Sequence, residues 1–224
     1  MENIKNRTIE SLMTQESASS DQEIRRLICE LCQLFYFKGW ASGTGGGISI
    51  RQGEKIYMAP SGVQKEQLDP NDIFVLDLDG NVLEEPVSNL KCSECKPLFI
   101  LAYHLRNAGA VLHSHSIHAM TATWLYDSHF KISNLEMQKG IIGANAFDTV
   151  EVPIIPNMAK ESDLTDSLRQ AILENPKTHA VLVRGHGVYV WGKDWIQAKT
   201  QAECYDYLFE AAIKLKHLGI DLLN

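Results

Sequence analysis

The sequence has no long apolar run, no excess of positive charge and no apolar leader. None of its apolar segments approaches the roughly 20 residues that a membrane-spanning helix needs. Its 28 Asp and Glu outnumber its 21 Lys and Arg and give a formal charge of −7, whereas nucleic-acid surfaces need a basic stripe. The first 21 residues are polar and lack the apolar core of a signal peptide. We therefore expect a cytoplasmic protein that binds neither membranes nor nucleic acids.

Cysteine is scarce and odd in number. With five cysteines and no sign of secretion, a disulfide framework is not expected. Two Cys-x-x-Cys pairs occur, Cys29/Cys32 and Cys92/Cys95, but they lie much further apart than the roughly 15–20 residues typical of a zinc ribbon. Cys29 and Cys32 also fall on one amphipathic helix, where their spacing predicts core packing. A four-cysteine zinc site is therefore not expected.

The chain is long enough for one domain with a large core. We predict a flexible tail over residues 1–20 and a single catalytic domain over 21–224. Apolar spacing predicts helices at 21–38, 97–106, 116–126, 164–172 and 194–217. Short strands joined by tight turns are predicted at 48–50, 55–58, 73–76, 82–84, 109–112, 150–155, 180–183 and 188–191. So many strands predict an α/β fold with a largely antiparallel or mixed central sheet covered by helices.

Three histidines lie where side chains can converge. His113 and His115 follow an apolar strand, and alternate residues of a strand project to the same face. His186 lies between Gly185 and Gly187 at the tip of a predicted hairpin, where glycines permit close backbone approach. Three neutral imidazoles with a fourth position open are typical of catalytic zinc. The alternative is an incidental exposed pair plus a turn residue, and spacing alone does not decide between the two.

A glycine loop over residues 43–47 runs into a strand that begins with Ile48. It fits neither a Walker loop nor a dinucleotide-binding pattern. Its backbone N–H groups could still bind a phosphate, which a net negative charge does not exclude. Ser61-Gly62 and Ser93 offer further donors. The alternative for each of these segments is an ordinary tight turn.

Two acidic positions remain open to more than one interpretation. Glu136 and Lys139 have the spacing of an exposed i,i+3 ion pair on a short helical stretch. Glu94 and Cys95 come just before a proline-started helix and can face either a cleft or solvent. Spacing alone does not choose between these possibilities.

Five segments in this order resemble the class II aldolase/adducin superfamily and, within it, the methylthioribulose-1-phosphate dehydratases of methionine salvage. They are GTGGGIS at 43–49, APSGVQKE at 59–66, GAVLHSH at 109–115, EMQKG at 136–140 and VRGHGVYVWG at 183–192. The resemblance extends over about residues 21–219, nearly the whole chain. It implies a class II aldolase-like fold with a central, mainly antiparallel β-sheet flanked by helices. It also implies a homotetramer with sites near the subunit interfaces.

The resemblance also implies a chemistry for named residues. One zinc ion per subunit would be held by His113, His115 and His186, and Glu136 would be the acid/base. The expected substrate-binding residues are Cys95, Gly46, Gly47, Ser61, Gly62, Ser93 and Lys139. The implied reaction dehydrates 5-methylthioribulose 1-phosphate to 2,3-diketo-5-methylthiopentyl 1-phosphate and water, with zinc polarising the keto and hydroxyl oxygens.

One difference from the dehydratase pattern leaves other members of the superfamily as alternatives. Its sugar-phosphate aldolases carry a catalytic glutamate in a Ser-x-Glu segment before the first histidine pair, and Glu94 lies close to that place. If Glu94 faced the metal, an aldolase or epimerase of the L-fuculose- or L-ribulose-phosphate type would be the alternative. Residues 93–99 are more similar to the dehydratase segment, where Cys95 faces the substrate, so Glu136 is favoured. The third possibility is a non-enzymatic, adducin-like interaction domain, which the retention of all three histidines disfavours.

Overall fold

The structure, a computed structural model, describes the backbone of residues 2–220 and the side chains of residues 20–220. Its α-helices are α1 (Glu2–Phe37), α2 (Lys96–Arg106), α3 (Ile117–Leu125), α4 (Thr165–Glu174) and α5 (Trp195–His217). Within residues 2–220, no helix combines the length and the apolar character needed to cross a membrane. The expected cytoplasmic location stays a prediction.

One mixed sheet contains nine strands of the described chain, in the order β4-β3-β2-β1-β5-β9-β8-β7-β6. Every neighbouring pair is antiparallel except β7 and β8, which are parallel. This confirms the predicted central, mainly antiparallel sheet flanked by helices. The strands are β1 (Gly47–Gln52), β2 (Lys55–Met58), β3 (Phe74–Leu76), β4 (Val82–Glu84), β5 (Ala110–Ser114), β6 (His129–Ile132), β7 (Val150–Ile155), β8 (Ala180–Val183) and β9 (Gly187–Gly192).

Both faces of the central strands are buried, so β5, β8 and β9 are almost continuously apolar. Helices α1, α3 and α5 pack on one face, and α2 and α4 pack on the other. Alternation along β5 shows the division, because Leu112 joins the first core and Val111 the second. His113 lies two residues after Val111 in β5, so both side chains are on the same face of the strand. His113 therefore projects to the face covered by α2 and α4.

The three central strands bring the predicted site segments to one end of the sheet. Antiparallel pairing puts Gly47, at the start of β1, opposite His113 near the end of β5. The same pairing puts Val188, near the start of β9, opposite Ser114. Gly187 lies so close to this strand that a Cβ there would be 2.0 Å from the Ser114 carbonyl oxygen. The glycine loop, the histidine pair and the β8–β9 turn therefore meet.

Two elements differ from the predictions. Strand β6 was not predicted, because its four residues alternate buried Phe130 and Ile132 with exposed Lys131 over too short a span to be recognised. Helix α1 begins at Glu2, whereas its predicted start was residue 21. The flexible tail predicted over 1–20 lies almost wholly outside the residues whose side chains are described, and it stays a prediction.

Candidate metal and substrate site

Three imidazoles meet at the end of the central strands. The Nε2 atom of His115 lies 2.8 Å from that of His113 and 3.0 Å from that of His186, and the Nε2 atoms of His113 and His186 are 3.2 Å apart. Nitrogen ligands at 2.0–2.1 Å from a tetrahedral zinc ion lie about 3.3 Å from one another. The observed spacing therefore fits three ligands of one small cation.

Hydrogen bonds at the far side of two rings leave their Nε2 lone pairs facing the centre. His113 Nδ1 lies 3.1 Å from the Val188 carbonyl oxygen, and His186 Nδ1 lies 3.2 Å from Asn157 Oδ1. Since these oxygens only accept, each Nδ1 carries the proton and each Nε2 is left unprotonated. Two lone pairs 3.2 Å apart repel unless a cation lies between them. Such outer contacts also orient histidine ligands at metal sites.

Burial keeps the imidazoles neutral. It lowers the pKa of His113 well below its ordinary value, with further lowering by the neighbouring His115 and His186. Burial and the same neighbour, His186, lower the pKa of His115 to about 4. Burial also lowers the pKa of His186, partly offset by the negative charge of Glu161. Near pH 7 all three rings are thus in the unprotonated form that binds a metal.

The glycine loop lies directly against this group. A Cβ on Gly45 would be 2.3 Å from both Cε1 and Nδ1 of His115, so no side chain fits there without moving the ring. Gly46 has a φ of +72°, and a Cβ on it would be 2.7 Å from the Trp40 carbonyl oxygen. Gly47 pairs with His113. Close approach to the His115 ring therefore requires glycine at 45, whereas the backbone conformation and the approach to Trp40 require it at 46.

Sequence reasoning missed Glu161, the first residue of a short 3-10 turn (Glu161–Leu164) between β7 and α4. One of its carboxylate oxygens and one nitrogen from each of the three histidines all lie within 4.8 Å of one another. Its Oε1 is 3.9 Å from His186 Nε2. A single glutamate in a polar loop has no spacing pattern that could have revealed it. Three histidines and one glutamate therefore fit a metal site.

The segment before α2 presents its cysteine, rather than its glutamate, to the interior. Cys95 is 7% exposed, whereas Glu94 lies on the surface. Cys95 Sγ donates a hydrogen bond of 2.7 Å to Glu161 Oε2 and accepts one of 3.7 Å from the Tyr189 hydroxyl. The Tyr189 ring in turn stacks on His113, with centroids 4.1 Å apart. Burial, followed by the charge of Glu161, raises the pKa of the Cys95 thiol well above its usual range.

A second residue that sequence reasoning missed, Lys65, joins the two loops predicted to surround a phosphate. Its side chain is 2% exposed, and its Nζ donates to the Thr44 carbonyl at 3.0 Å and to the Val63 carbonyl at 3.5 Å. Thr44 belongs to the glycine loop and Val63 follows Ser61-Gly62. The buried ammonium group therefore holds both loops and places a positive charge beneath them.

Of the other residues predicted to line the site, Ser93 lies beside it, whereas Glu136 and Lys139 lie on the surface. Ser93 Oγ accepts a hydrogen bond of 3.2 Å from the Cys95 backbone N–H, immediately beside the site. Glu136 and Lys139 form an ion pair of 2.7 Å, and their side chains are 77% and 56% exposed. Neither belongs to the group of three histidines and Glu161. The catalytic and substrate-binding roles of Glu136 and Lys139 stay predictions.

Comparison with known proteins identifies the family. A family profile described as "Class II Aldolase and Adducin N-terminal domain" matches residues 26–213. The chain belongs to the class II aldolase and adducin family. The resemblance inferred from the five sequence segments is thereby confirmed.

Within the class II aldolase family, several relatives bear the name that those segments suggested. A protein of Aquarana catesbeiana named "Methylthioribulose-1-phosphate dehydratase" is 50% identical over 215 residues, which cover 92% of this chain and 90% of the relative. A Ricinus communis protein named "Probable bifunctional methylthioribulose-1-phosphate dehydratase/enolase-phosphatase E1" is 51% identical, and the match covers 89% of this chain. The match spans only 41% of that longer protein, so the chain is similar to less than half of it.

A solved class II aldolase structure shares the fold at low sequence identity. L-fuculose-1-phosphate aldolase from Thermus thermophilus aligns with a TM-score of 0.67 and 22% identity, covering 88% of this chain and 97% of that protein. At that identity the likeness shows the fold alone.

Proposed function

We propose that this protein is a zinc-dependent lyase that removes water from 5-methylthioribulose 1-phosphate to form 2,3-diketo-5-methylthiopentyl 1-phosphate, a step of methionine salvage. The observation that carries the proposal is the convergence of the Nε2 atoms of His113, His115 and His186 to within 3.2 Å of one another. The choice of reaction is supported by a relative named methylthioribulose-1-phosphate dehydratase, which is 50% identical over 90% of its length.

The three histidines would hold the zinc ion, oriented by Val188 and Asn157. When bound, zinc supplies a Lewis acid that polarises the keto and hydroxyl oxygens of the substrate and stabilises negative charge on them, an effect of several kcal/mol. The chain itself contributes neutral ligands, and the buried side chains of Cys95 and Tyr189 lie beside His113. Zinc is favoured over other divalent ions because imidazole ligands with tetrahedral spacing suit it.

The glycine loop and the Ser61-Gly62 segment would bind the substrate phosphate through backbone N–H groups and the Ser61 hydroxyl. Ser93 lies beside Cys95 and adds a hydroxyl at the same end of the site. Lys65 supports this proposal because a buried cation beneath both loops favours a bound anion. Cys95 would face the sugar.

Glu136 would act as the acid/base. Its carboxylate would take the proton from C3 of the substrate and return it to the C4 hydroxyl, which leaves as water. The enol that remains tautomerises to the diketone. General acid–base catalysis of this kind typically contributes about 10²–10⁴ in rate. Lys139 would orient the carboxylate through its 2.7 Å ion pair.

The surface position of Glu136 supports assembly as a homotetramer in which active sites lie near subunit contacts. The exposed apolar residues Met137, Ile142 and Phe147 lie near it in the sequence, and Phe147 is 85% exposed. A contiguous exposed apolar patch marks a protein–protein interface, and these side chains would contribute to such a patch in the proposed assembly. Light scattering after size-exclusion chromatography is expected to give the mass of four chains, and a monomer mass would contradict the assembly.

The central test is incubation with 5-methylthioribulose 1-phosphate before and after chelation of metal. Dehydration gives one product lighter by one water, whereas aldol cleavage gives two fragments. We expect the first, and we expect chelation to abolish it and zinc to restore it. Two fragments, or a rate that chelation does not change, would contradict the proposal. His186→Ala should lose most bound zinc in elemental analysis, and full occupancy would exclude His186 as a ligand.

A pair of glutamate variants tests the acid/base. Glu136→Gln should keep the metal and lose about 10²–10⁴ in turnover, since the amide cannot take a proton. Glu94→Gln is the matched control, because Glu94 is exposed and precedes buried Cys95. Normal turnover in Glu136→Gln, with a large loss in Glu94→Gln, would instead support an aldolase-type base.

A further inference from the structure

Glu161 points one carboxylate oxygen at the three imidazoles. It begins the 3-10 turn that follows β7, and its position in the chain is far from the Ser-x-Glu place of the aldolases. Its Oε1 is 3.9 Å from His186 Nε2, and a carboxylate oxygen lies within 4.8 Å of a nitrogen from each histidine. At metal–ligand distances of about 2.0–2.2 Å, two ligands of one ion lie at most about 4.3 Å apart, and the 3.9 Å between Glu161 Oε1 and His186 Nε2 falls within that limit.

Within the part of the chain whose side chains are described, the carboxylate has no lysine or arginine in direct contact, and the ammonium group of Lys65 acts on it at longer range. The Glu161 side chain is 19% exposed, so water screens it only partly. Among residues 20–220, no lysine or arginine nitrogen lies within 4.0 Å of it, and the nitrogen at that range belongs to His186. That ring has its proton on Nδ1, facing Asn157, and presents an unprotonated Nε2. A half-buried anion beside the unprotonated Nε2 atoms of His113 and His186 is stabilised by a cation between them.

The second oxygen of Glu161 is held by Cys95. Oε2 accepts the thiol hydrogen bond at 2.7 Å, and this contact leaves Oε1 as the oxygen that faces His186. Cys95 is itself fixed by the Tyr189 hydroxyl, whose ring stacks on His113. The carboxylate orientation is therefore set by the same residues that line the histidine group.

We propose that Glu161 is the fourth protein ligand of the metal centre and that Cys95 positions it. This inference rests on the proposed three-histidine metal site and adds one ligand to it. Glu161 Oε1 would hold the metal together with the three histidines, and the Cys95 hydrogen bond to Oε2 would keep the carboxylate at the edge of the site.

The test uses Co²⁺ as a spectroscopic probe and does not depend on turnover. Metal-free protein is titrated with Co²⁺ alone, and affinity and the visible d–d spectrum are recorded. Glu161→Gln should lower Co²⁺ affinity by at least about 10-fold and shift the bands, because water replaces a carboxylate. Glu161→Asp keeps a carboxylate and should recover part of both changes. Asp163→Asn removes the same charge from an exposed position in the same turn and should change neither.

A double-variant cycle tests the contact with Cys95. Cys95→Ala should lower Co²⁺ affinity several-fold in the wild-type background and leave it unchanged in the Glu161→Gln background, because the two residues act through one hydrogen bond. Equal losses in both backgrounds would overturn the positioning role. Identical affinity and spectrum in wild type and Glu161→Gln would overturn the fourth ligand while leaving the three-histidine site intact. Absence of Co²⁺ binding by the wild type would overturn both the site and this inference.

Discussion

Substitution of Gly45 by alanine tests whether a glycine at this position is needed to leave room for the imidazole of His115, a proposed metal ligand. The Gly45 backbone lies outside the left-handed region, so alanine adds no backbone strain of that kind. Its Cβ would, however, lie 2.3 Å from both Cε1 and Nδ1 of His115. Non-bonded carbon atoms prefer separations of about 3.5–4.0 Å. The imidazole must therefore move by more than about 1 Å, or the loop must shift away from it.

The expected cost follows from that displacement. A misplacement of about 1 Å at a reacting centre can cost about 10²-fold in rate. A factor of 10² corresponds to about 2.7 kcal/mol of lost transition-state stabilisation. We expect Gly45→Ala to lower kcat/KM by about 100-fold and Co²⁺ affinity by about 10-fold. The global stability should fall by only about 1–3 kcal/mol, since one contact is overpacked.

Gly43→Ala is the matched control for Gly45→Ala. Gly43 lies two residues earlier in the same loop, has a φ of +67° and has nothing within 4 Å of the position of a Cβ. Alanine there costs about 1–2 kcal/mol in backbone strain without touching His115. Metal titration, steady-state kinetics and urea unfolding of both variants separate loop strain from ligand displacement. If Gly45→Ala bound Co²⁺ and turned over like wild type, the close contact between the loop and a functional His115 would be refuted.

Two further predictions concern stability, each measured by urea unfolding. Asp21 accepts hydrogen bonds from Tyr57 at 2.5 Å and Lys55 at 2.9 Å. Burial alone would raise the pKa of this carboxyl, but these two partners outweigh it and the pKa is lowered. Its stabilisation is therefore present above the unfolded pKa of about 3.9 and lost as pH falls through the lower folded value. Asp21→Asn should lower the free energy of unfolding by roughly 1 kcal/mol at pH 7. It should also weaken the fall of this free energy with decreasing pH below about pH 4, and an unchanged pH dependence there would contradict the prediction. Gly140→Ala would put a Cβ 2.2 Å from Cys204 Sγ and should cost roughly 1–3 kcal/mol. Adding Cys204→Ala should recover most of that loss, and no recovery would show that the clash lies elsewhere.

The parts of the fold that sequence predicts well are those in which local pattern and tertiary environment agree. The β8–β9 hairpin is a clear case, because two apolar strands flank Gly185 and Gly187 and the observed strands match the predicted ones closely. The projection of His113, in β5, and of His115, which follows the last residue of that strand, to the same side likewise follows from strand geometry. Their approach to His186 could not follow from spacing, because it depends on the antiparallel pairing of β5 with β9.

The features that sequence reasoning missed are single residues whose role depends on distant neighbours. Glu161 lies in a polar loop with no periodic pattern, and only the fold places its carboxylate beside Cys95, which lies 66 positions earlier. Lys65 appeared as one polar residue of a recognised motif, yet the fold buries it and directs its Nζ to the Thr44 carbonyl. Long-range contacts of this kind leave no signal in the spacing of one sequence.

The position of the carboxylates on this scaffold bears on which reaction the chain performs. Aldol cleavage requires a base at the C4 hydroxyl, whereas dehydration requires one at the C3 hydrogen, so one metal site can support either. In this chain the glutamate nearest the aldolase position, Glu94, is exposed, while the adjacent Cys95 is buried and hydrogen-bonded to Glu161. A neutral thiol held by a carboxylate is a poor base. Glu136 is also exposed and, like Glu94, lies outside the group of three histidines and Glu161, so exposure does not choose between the two glutamates. The burial of Cys95 at the aldolase position argues against cleavage, and the proposal of Glu136 as the base is tested by the Glu136→Gln and Glu94→Gln pair.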